Sequence, residues 1–221
     1  MNDLIETRQL SRLDANTGSV LLHPTDYRLN GGDRVAITGP SGSGKSVFLR
    51  ALALLDAPSR GELLFKGHPV APDHVPAYRS RVCYIAQKPG LLDGTVADNL
   101  RYPYGLKVFA KARFDLPTVQ RLLAQAGKPA AFLDKHSADL SGGEAQVLAL
   151  VRVLQLDPDV LLLDEPTAAL DPASAAQVEQ LVGAWFGQAP GTRAYLWVSH
   201  DPQQAQRVSN RQLNMIAGAL A

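Results

Sequence analysis

The chain has 221 residues and 46% are apolar, which suffices for one large α/β domain or for one domain with an inserted lobe. A formal net charge of +1 gives no general field that would attract nucleic acid or an acidic membrane. The single cysteine, Cys83, excludes an internal disulfide framework and fits a reducing compartment. Within the apolar run 82–85 it is better explained as a small buried residue than as a nucleophile.

No apolar stretch of the sequence approaches the roughly 20 residues that a membrane-spanning helix requires. The N-terminal residues begin acidic and lack the apolar core of a signal peptide. We therefore expect a cytoplasmic protein whose role at a membrane would come through a partner.

In chain order, the first part of the sequence is predicted to be mostly strands. Residues 4–29 show the alternation of an antiparallel meander, and the turn residues 30–33 separate it from a buried strand at 34–38. A glycine-rich loop follows and leads into an apolar helix. The remaining expectations for this part are a helix at 47–55, a break at 58–61, a strand at 62–67, a loop at 68–76 and a strand at 82–87.

From about residue 90 the pattern becomes helical, and we interpret residues 90–140 as an inserted lobe. Its clearest helix covers residues 116–127. The alternating pattern then resumes, which predicts a mainly parallel sheet. The expected elements are helix 144–155, strand 160–163, helix 173–186, strand 194–199 and a last helix that begins at Pro202.

The loop after the buried strand fits the pattern G-x-x-x-x-G-K-[ST]. Its backbone amides and the positive end of the next helix would bind a di- or triphosphate. Lys45 would reach the β- and γ-phosphates, and the Ser46 hydroxyl would be a ligand of Mg²⁺. The alternative is an ordinary glycine-rich turn. The candidate nucleotide-binding residues of this loop are Gly39, Pro40, Ser41, Gly42, Ser43, Gly44, Lys45, Ser46 and Val47.

Two carboxylates end the apolar run at 160–163. The carboxyl ends of buried parallel strands open onto the ligand crevice, so Asp164 would hold Mg²⁺ through water, opposite Ser46. Glu165 could accept a proton from the water that attacks the γ-phosphate. Alternatively, the pair before Pro166 could simply start a loop.

The segment Ser141-Gly142-Gly143-Glu144 has the spacing of a helix capping box. Two glycines weaken a helix start unless something approaches the backbone closely. We therefore interpret Ser141, Gly142 and Gly143 as a second anion site, with a simple helix cap as the alternative. One chain with two phosphate-binding devices suggests that two chains pair, each device facing the other.

The phosphate loop, Gln87, residues 140–144, Asp164 with Glu165, Ala169-Leu170-Asp171 and Ser199-His200-Asp201 together resemble an ABC-transporter ATPase subunit over almost the whole chain. The resemblance implies an α/β P-loop core of residues 1–88 and 141–221, with a helical subdomain at about 89–140. It also implies a homodimer that uses ATP and Mg²⁺, and a separate membrane permease as partner.

Residue roles follow from that resemblance. Gln87 would link the lobes and sense Mg²⁺ and water, and residues 141–143, the signature segment of the family, would act on the nucleotide of the opposite subunit. Asp171 would face the dimer interface, and His200 would contact the γ-phosphate as a catalytic residue with Glu165, Lys45 and Gln87. Each has an ordinary structural alternative, since Asp171 and Asp201 before prolines fit helix caps and Gln87 could end a strand.

Three positions depart from the family pattern. Val47 replaces a common threonine, so one hydroxyl contact to the α-phosphate is missing. No aromatic residue lies near Asn16, where the family stacks adenine, and Tyr27 is expected in the core. Val147 stands directly after Gln146, at a position where the family usually has a basic residue.

Finer similarity at 84–87, 94–100, 152–155 and 196–200 points to bacterial iron-export ATP-binding subunits. The lobe after Gln87 would dock the permease, with Leu91, Leu92, Tyr102 and Tyr104 as candidate groove residues or, equally, as packing inside the lobe.

Three alternative functions fit the sequence less well. A DNA-repair ATPase would carry a long coiled coil between Gln87 and Ser141, and those residues lie only 141 − 87 = 54 positions apart. A small-molecule kinase would leave residues 140–144 without a task. A regulatory module without hydrolysis disagrees with the presence of Glu165 and His200.

Overall fold

The fold is described for residues 3–221 in a computed structural model. The two preceding residues, where the predicted domain and the N-terminal sequence considered above begin, lie outside the described residues. In chain order the elements are β1 Asp3–Leu13, β2 Val20–Asn30, β3 Arg34–Thr38, α1 Lys45–Leu52, β4 Arg60–Phe65, β5 His68–Pro69, α2 Val75–Arg81, β6 Val82–Ile85, α3 Val96–Arg101, α4 Leu116–Gln125, α5 Gly142–Leu154, β7 Val160–Leu163, α6 Pro172–Gly187, β8 Ala194–Val198, α7 Pro202–Val208, β9 Arg211–Ile216 and β10 Ala219–Leu220.

The chain divides into two compact units. The first comprises the residues up to Tyr84 together with Asp159–Glu165 and Ala189–Ala221. The second comprises Ile85–Pro158 and Pro166–Gln188. The predicted helical lobe at 89–140 therefore falls inside the second unit, which also includes signature helix α5 and helix α6.

The first unit contains two sheets. One has the strand order β2-β1-β4-β5 and is antiparallel throughout, in agreement with the predicted meander. The other has the order β10-β9-β3-β8-β7-β6. Within it β3 runs parallel to both β8 and β9, and β7 runs parallel to β8. The predicted α/β class with a mainly parallel sheet is thus confirmed.

The core of the first unit is formed by β-branched and aliphatic residues of both sheets around helix α1. Phe48 of α1 is fully buried, and the Tyr27 ring meets it edge-on at a centroid distance of 5.4 Å. Tyr27 is therefore a core residue, as predicted. Cys83 is also buried, and burial raises the pKa of its thiol to about 12, which leaves it an inert apolar side chain at neutral pH.

The second unit is mainly helical. Helix α5 packs against α3, α4 and α6, and it buries an almost continuous run of apolar residues from Val147 to Val151. Short 3-10 turns connect the other helices. Within residues 3–221, none of the helices combines the length and the apolar character needed to cross a bilayer.

Several predicted boundaries differ from the observed ones. The segment 68–76, expected as loop, contains strand β5, a 3-10 turn and the start of α2, because two of its three prolines, Pro72 and Pro76, occupy first-turn positions where a helix tolerates them. Helix α1 ends at Leu52 rather than residue 55, since Leu54 adopts a φ of +52°. The last predicted helix ends at Val208, and β9 and β10 follow it.

Candidate nucleotide site

The phosphate loop joins β3 to α1 in the first unit. Gly39 has a φ of +140°, and a Cβ at this position would lie 2.2 Å from the Met215 carbonyl oxygen, so only glycine fits. Helix α1 begins after Gly44, and no side chain caps it. Its first N–H groups therefore remain available to an anion, which is the arrangement that binds phosphate at a helix N-terminus.

Lys45 is only 5% exposed, and its Nζ lies against the loop backbone. The ammonium donates hydrogen bonds to the carbonyl oxygens of Gly39 and Pro40, both at 2.8 Å. Ser43 is buried too, and its hydroxyl oxygen has no partner within the described part of the chain. Pro40, Ser41, Gly42 and Ser46 are exposed, whereas Val47 is half-buried. The loop therefore presents exposed polar groups near the start of helix α1.

Ser46 and Asp164 are brought together, as the sequence predicted. The Ser46 hydroxyl donates to Asp164 Oδ1 at 2.9 Å, and the Tyr84 hydroxyl donates to Asp164 Oδ2 at 2.7 Å. Asp164 is 5% exposed at the carboxyl end of β7. A hydroxyl oxygen beside a carboxylate is a hard donor set that suits Mg²⁺, so these residues fit that ion. Burial, followed by the hydrogen bond to Asp164, raises the pKa of Tyr84, which keeps its hydroxyl protonated.

Glu165 and His200 form a second pair at the same edge of the sheet. The Glu165 Oε1 atom lies 2.5 Å from His200 Nε2. Glu165 follows β7 with a φ of +48°, an unusual backbone conformation for a residue with a side chain. His200 follows β8 and is exposed. Two residues separated by 35 positions therefore meet through neighbouring parallel strands.

In the second unit, Ser141 and Glu144 cap helix α5 reciprocally. The Glu144 amide donates to Ser141 Oγ at 3.2 Å, and the Ser141 amide donates to Glu144 Oε2 at 3.0 Å. Lys135 Nζ donates to both Glu144 oxygens, at 2.9 and 2.8 Å. The Lys135 hydrogen bond holds the pKa of Glu144 below its usual value. The predicted capping box is therefore confirmed, and Ser141 and Gly142 are exposed at the helix start.

Gly143 and Asp171 both contact Ser174 of helix α6. A Cβ at Gly143 would lie 2.9 Å from Ser174 Oγ, whereas a Cβ at Gly142 would meet nothing within 4 Å. Ser174 Oγ donates to Asp171 Oδ2 at 2.6 Å, and this bond lowers the pKa of Asp171. Asp171 Oδ1 accepts the amides of Ala173 and Ser174, so Asp171 is the cap of α6. The sequence predicted that some group approaches the backbone closely at the two glycines. At Gly143 this group is Ser174 of the same chain.

The remaining candidates lie at the start of the second unit. Gln87 is exposed shortly after β6. Of the predicted groove residues, Leu92 is 39% and Tyr102 is 52% exposed. Leu91 is half-buried, and the Tyr104 ring packs edge-on against Phe114 at 5.7 Å. Arg152 donates to the Gly90 carbonyl at 2.8 Å and holds this segment against helix α5.

Three contacts were not predicted from the sequence. Tyr84 and Ser174 touch the predicted site residues Asp164 and Asp171, and Lys135 touches Glu144 of the capping box. Ser174 lies three positions after Asp171, where a helix-capping aspartate meets the next turn, so that spacing was a usable signal. Tyr84 gave no such signal, because only the neighbouring position of β6 and β7 in the sheet brings it to Asp164.

Comparison with known proteins gives consistent matches. The ABC transporter family model matches residues 22–168. Protein STAR1 of Oryza sativa subsp. japonica is 40% identical over 214 residues, which are 97% of this chain and 60% of STAR1. The chain therefore spans less than two thirds of that relative. The probable iron export ATP-binding protein FetA of Escherichia coli (strain K12) is 38% identical over 184 residues, which are 83% of this chain and 80% of FetA.

Other relatives are named for phosphate or methionine import. Among solved structures, the dimeric post-hydrolysis ATP-binding cassette MJ0796 with ADP and Pi has a TM-score of 0.85 at 23% identity. That match covers 99% of this chain and 98% of the cassette, and it establishes the common fold. With the phosphate loop, the Ser46–Asp164 pair and the capped signature helix in place, the chain belongs to the ABC transporter family, as an ATP-binding and ATP-hydrolysing subunit.

Proposed function

We propose that two copies of this chain close on two ATP molecules with Mg²⁺ and that this closure drives a separate membrane permease. The observation that carries the proposal is the contact of 2.5 Å between Glu165 and His200, beside the hydrogen-bonded pair Ser46 and Asp164. A proton acceptor and a candidate γ-phosphate contact thus stand beside groups suited to the phosphates and their ion. This set of neighbours is what phosphoryl transfer to water needs.

On the phosphate side, the backbone N–H groups of residues 41–46 bind the β- and γ-phosphate oxygens. Lys45 exchanges its hydrogen bonds to Gly39 and Pro40 for phosphate oxygens, at little net cost because one set of acceptors replaces another. Ser46 and Asp164 would hold Mg²⁺, together with Gln87 as the family resemblance implies. When bound, Mg²⁺ supplies charge neutralisation on the phosphates and orients them.

At the γ-phosphate, Glu165 accepts the proton of the attacking water as a general base. His200 contacts the γ-phosphate and holds the Glu165 carboxylate in place through the bond between Nε2 and Oε1. Glu165 adopts a φ of +48°, and Pro166 after it has no N–H to donate to a strand ladder, so β7 ends before this pair. The two residues therefore act together in activating the water.

The dimer follows from the second unit. Ser141, Gly142 and Gly143 offer an exposed helix start, which would bind the γ-phosphate held by the other copy. Asp171 faces the same interface. ATP between two such surfaces favours the closed dimer, and loss of the γ-phosphate removes those contacts and lets the dimer open.

For the partner, we propose an integral membrane permease that docks on the helical lobe at about 89–140. Residues 1–88 and 141–221 then carry the nucleotide, and the chain sits peripherally on the cytoplasmic face of the membrane. We propose that the cargo is a metal ion, with iron as the first candidate, and that the transporter exports it. The support for this cargo is FetA, a relative of 38% identity over most of both chains that is named for iron export.

The test of this proposal uses Glu165→Gln, which keeps the shape of the side chain and removes its basicity. We expect this variant to bind ATP, to hydrolyse it at a rate reduced at least about a hundredfold, and to sediment as a dimer only with ATP. Lys45→Ala should lose nucleotide binding and stay monomeric. Near-normal hydrolysis by Glu165→Gln, or a monomer at saturating ATP, would contradict the proposal, and added DNA should change neither result.

A further inference from the structure

Tyr84 lies next to the candidate Mg²⁺ ligands Ser46 and Asp164, although binding of the ion by these two residues does not by itself require a tyrosine. Its hydroxyl donates to Asp164 Oδ2 at 2.7 Å, and Ser46 donates to the other oxygen of the same carboxylate at 2.9 Å. Each carboxylate oxygen therefore has its own donor. A buried carboxylate held in this way cannot rotate freely, because rotation would break both charge-assisted hydrogen bonds.

Tyr84 lies on a strand next to the one that leads to Asp164. It belongs to β6, and the neighbouring strand β7 ends at Leu163, directly before Asp164. The charge of Arg50 in helix α1 acts on the Tyr84 phenol, and the Arg50 guanidinium is itself held by a bidentate pair with Asp56 at 2.7 and 2.8 Å. The pairing of the strands therefore places the Tyr84 hydroxyl beside the Asp164 carboxylate.

We propose that Tyr84 is a positioning residue for Mg²⁺: it fixes the orientation of Asp164, so that the Ser46–Asp164 pair is already arranged before the ion arrives. The proposal rests on the proposed function, since it assumes that Ser46 and Asp164 serve Mg²⁺ with a nucleotide. Phenylalanine in place of Tyr84 would fill the same space but would leave Asp164 Oδ2 without this donor. The carboxylate would then sample orientations that do not suit the ion.

Partners that orient a metal ligand typically change metal affinity by about 10- to 100-fold when removed. Asp164 would act on the ion partly through water, so we expect the lower end of that range. The phosphate contacts of residues 39–45 do not involve Tyr84, so ADP binding without Mg²⁺ should be unchanged. A purely structural role would instead weaken ADP binding with and without the ion alike.

The experiment measures ADP binding by calorimetry at a series of Mg²⁺ concentrations, which requires no turnover. In Tyr84→Phe the Mg²⁺ concentration that half-saturates the gain in ADP affinity should rise about tenfold, while the affinity in EDTA stays at the wild-type value. Tyr78→Phe is the matched control. It removes a buried tyrosine hydroxyl that donates to the Leu52 carbonyl, in the same unit, and it should shift neither quantity.

A second comparison uses Asp164→Asn as background. If Tyr84 acts through Asp164, adding Tyr84→Phe there should leave the Mg²⁺ dependence where Asp164→Asn alone puts it. An unshifted Mg²⁺ dependence in Tyr84→Phe would overturn the role of Tyr84 alone. A wild-type chain whose ADP affinity does not respond to Mg²⁺ would overturn the proposed metal function as well.

Discussion

Gly143 and Ser174 lie so close that a methyl group at position 143 would stand 2.9 Å from the Ser174 hydroxyl oxygen. That hydroxyl is already committed to Asp171 at 2.6 Å, so it has little freedom to withdraw. We expect Gly143→Ala to lower the free energy of unfolding by about 1–3 kcal/mol through overpacking. Urea denaturation measures the loss.

Gly142→Ala is the matched control, because its Cβ would meet nothing within 4 Å and alanine favours a helix. It should be neutral or slightly stabilising. Ser174→Ala added to Gly143→Ala should recover part of the loss beyond additivity. Equal stability of the two alanine variants would show that Ser174 does not limit position 143.

The cap of helix α5 predicts a pH dependence. The pKa of Glu144 is lowered, first by the hydrogen bond from Lys135, so this group stabilises the fold above its unfolded pKa near 4.5 and loses that contribution as pH falls through its lower folded pKa. Lys135→Met should lower the free energy of unfolding by about 0.5–1 kcal/mol at pH 7. Below pH 4.5, the free energy of unfolding of this variant should fall less steeply with decreasing pH than that of the wild type. Thermal unfolding at stepped pH tests it, with Lys107→Met, an exposed lysine of the same unit, as control. An unchanged acid limb in Lys135→Met would exclude this pair as its source.

Permease docking can be tested apart from ATP hydrolysis. Charge substitutions at Leu91 and Leu92 should uncouple transport from hydrolysis, because a carboxylate in an apolar groove costs free energy that only the docked state bears. Basal ATPase activity should remain. Leu116→Glu is the control, since Leu116 and Leu92 are both 39% exposed in the same unit. Assays in vesicles with the permease decide, and transport that survives the changes at 91 and 92 would place the docking surface elsewhere.

Base recognition is expected to be weak. Strand β2 begins beside the phosphate loop, with the Leu21 carbonyl oxygen 3.1 Å from the Cβ position of Gly44. There the cross-strand pair Leu13 and Val20 is 37% and 47% exposed, and it offers an apolar surface without donors or acceptors. ATP and GTP should therefore bind within a few-fold of each other, and Leu13→Asp should weaken both. Competition binding measures this, and a strong preference for ATP would reveal an additional base contact.

Local features could be predicted from the sequence, because neighbours in the chain determine them. The phosphate loop, the Ser141–Glu144 cap and the carboxylates after β7 all belong to this class. Features that depend on distant pairing were missed. Tyr84 reaches Asp164 across 80 positions, and the strands β9 and β10, which follow helix α7, were not predicted. Periodicity alone does not say which strands become neighbours.

The contact between the phosphate loop and the last hairpin constrains the order in which this protein can assemble. The Met215 carbonyl lies so close to position 39 that only glycine fits there, the Ser43 carbonyl accepts the Gly218 amide at 2.8 Å, and the Thr38 hydroxyl donates to a carbonyl 175 residues later. During synthesis, the loop emerges early but lacks these supports until β9 and β10 have followed. A nascent chain should therefore acquire nucleotide affinity only after β9 and β10 have docked beside the loop.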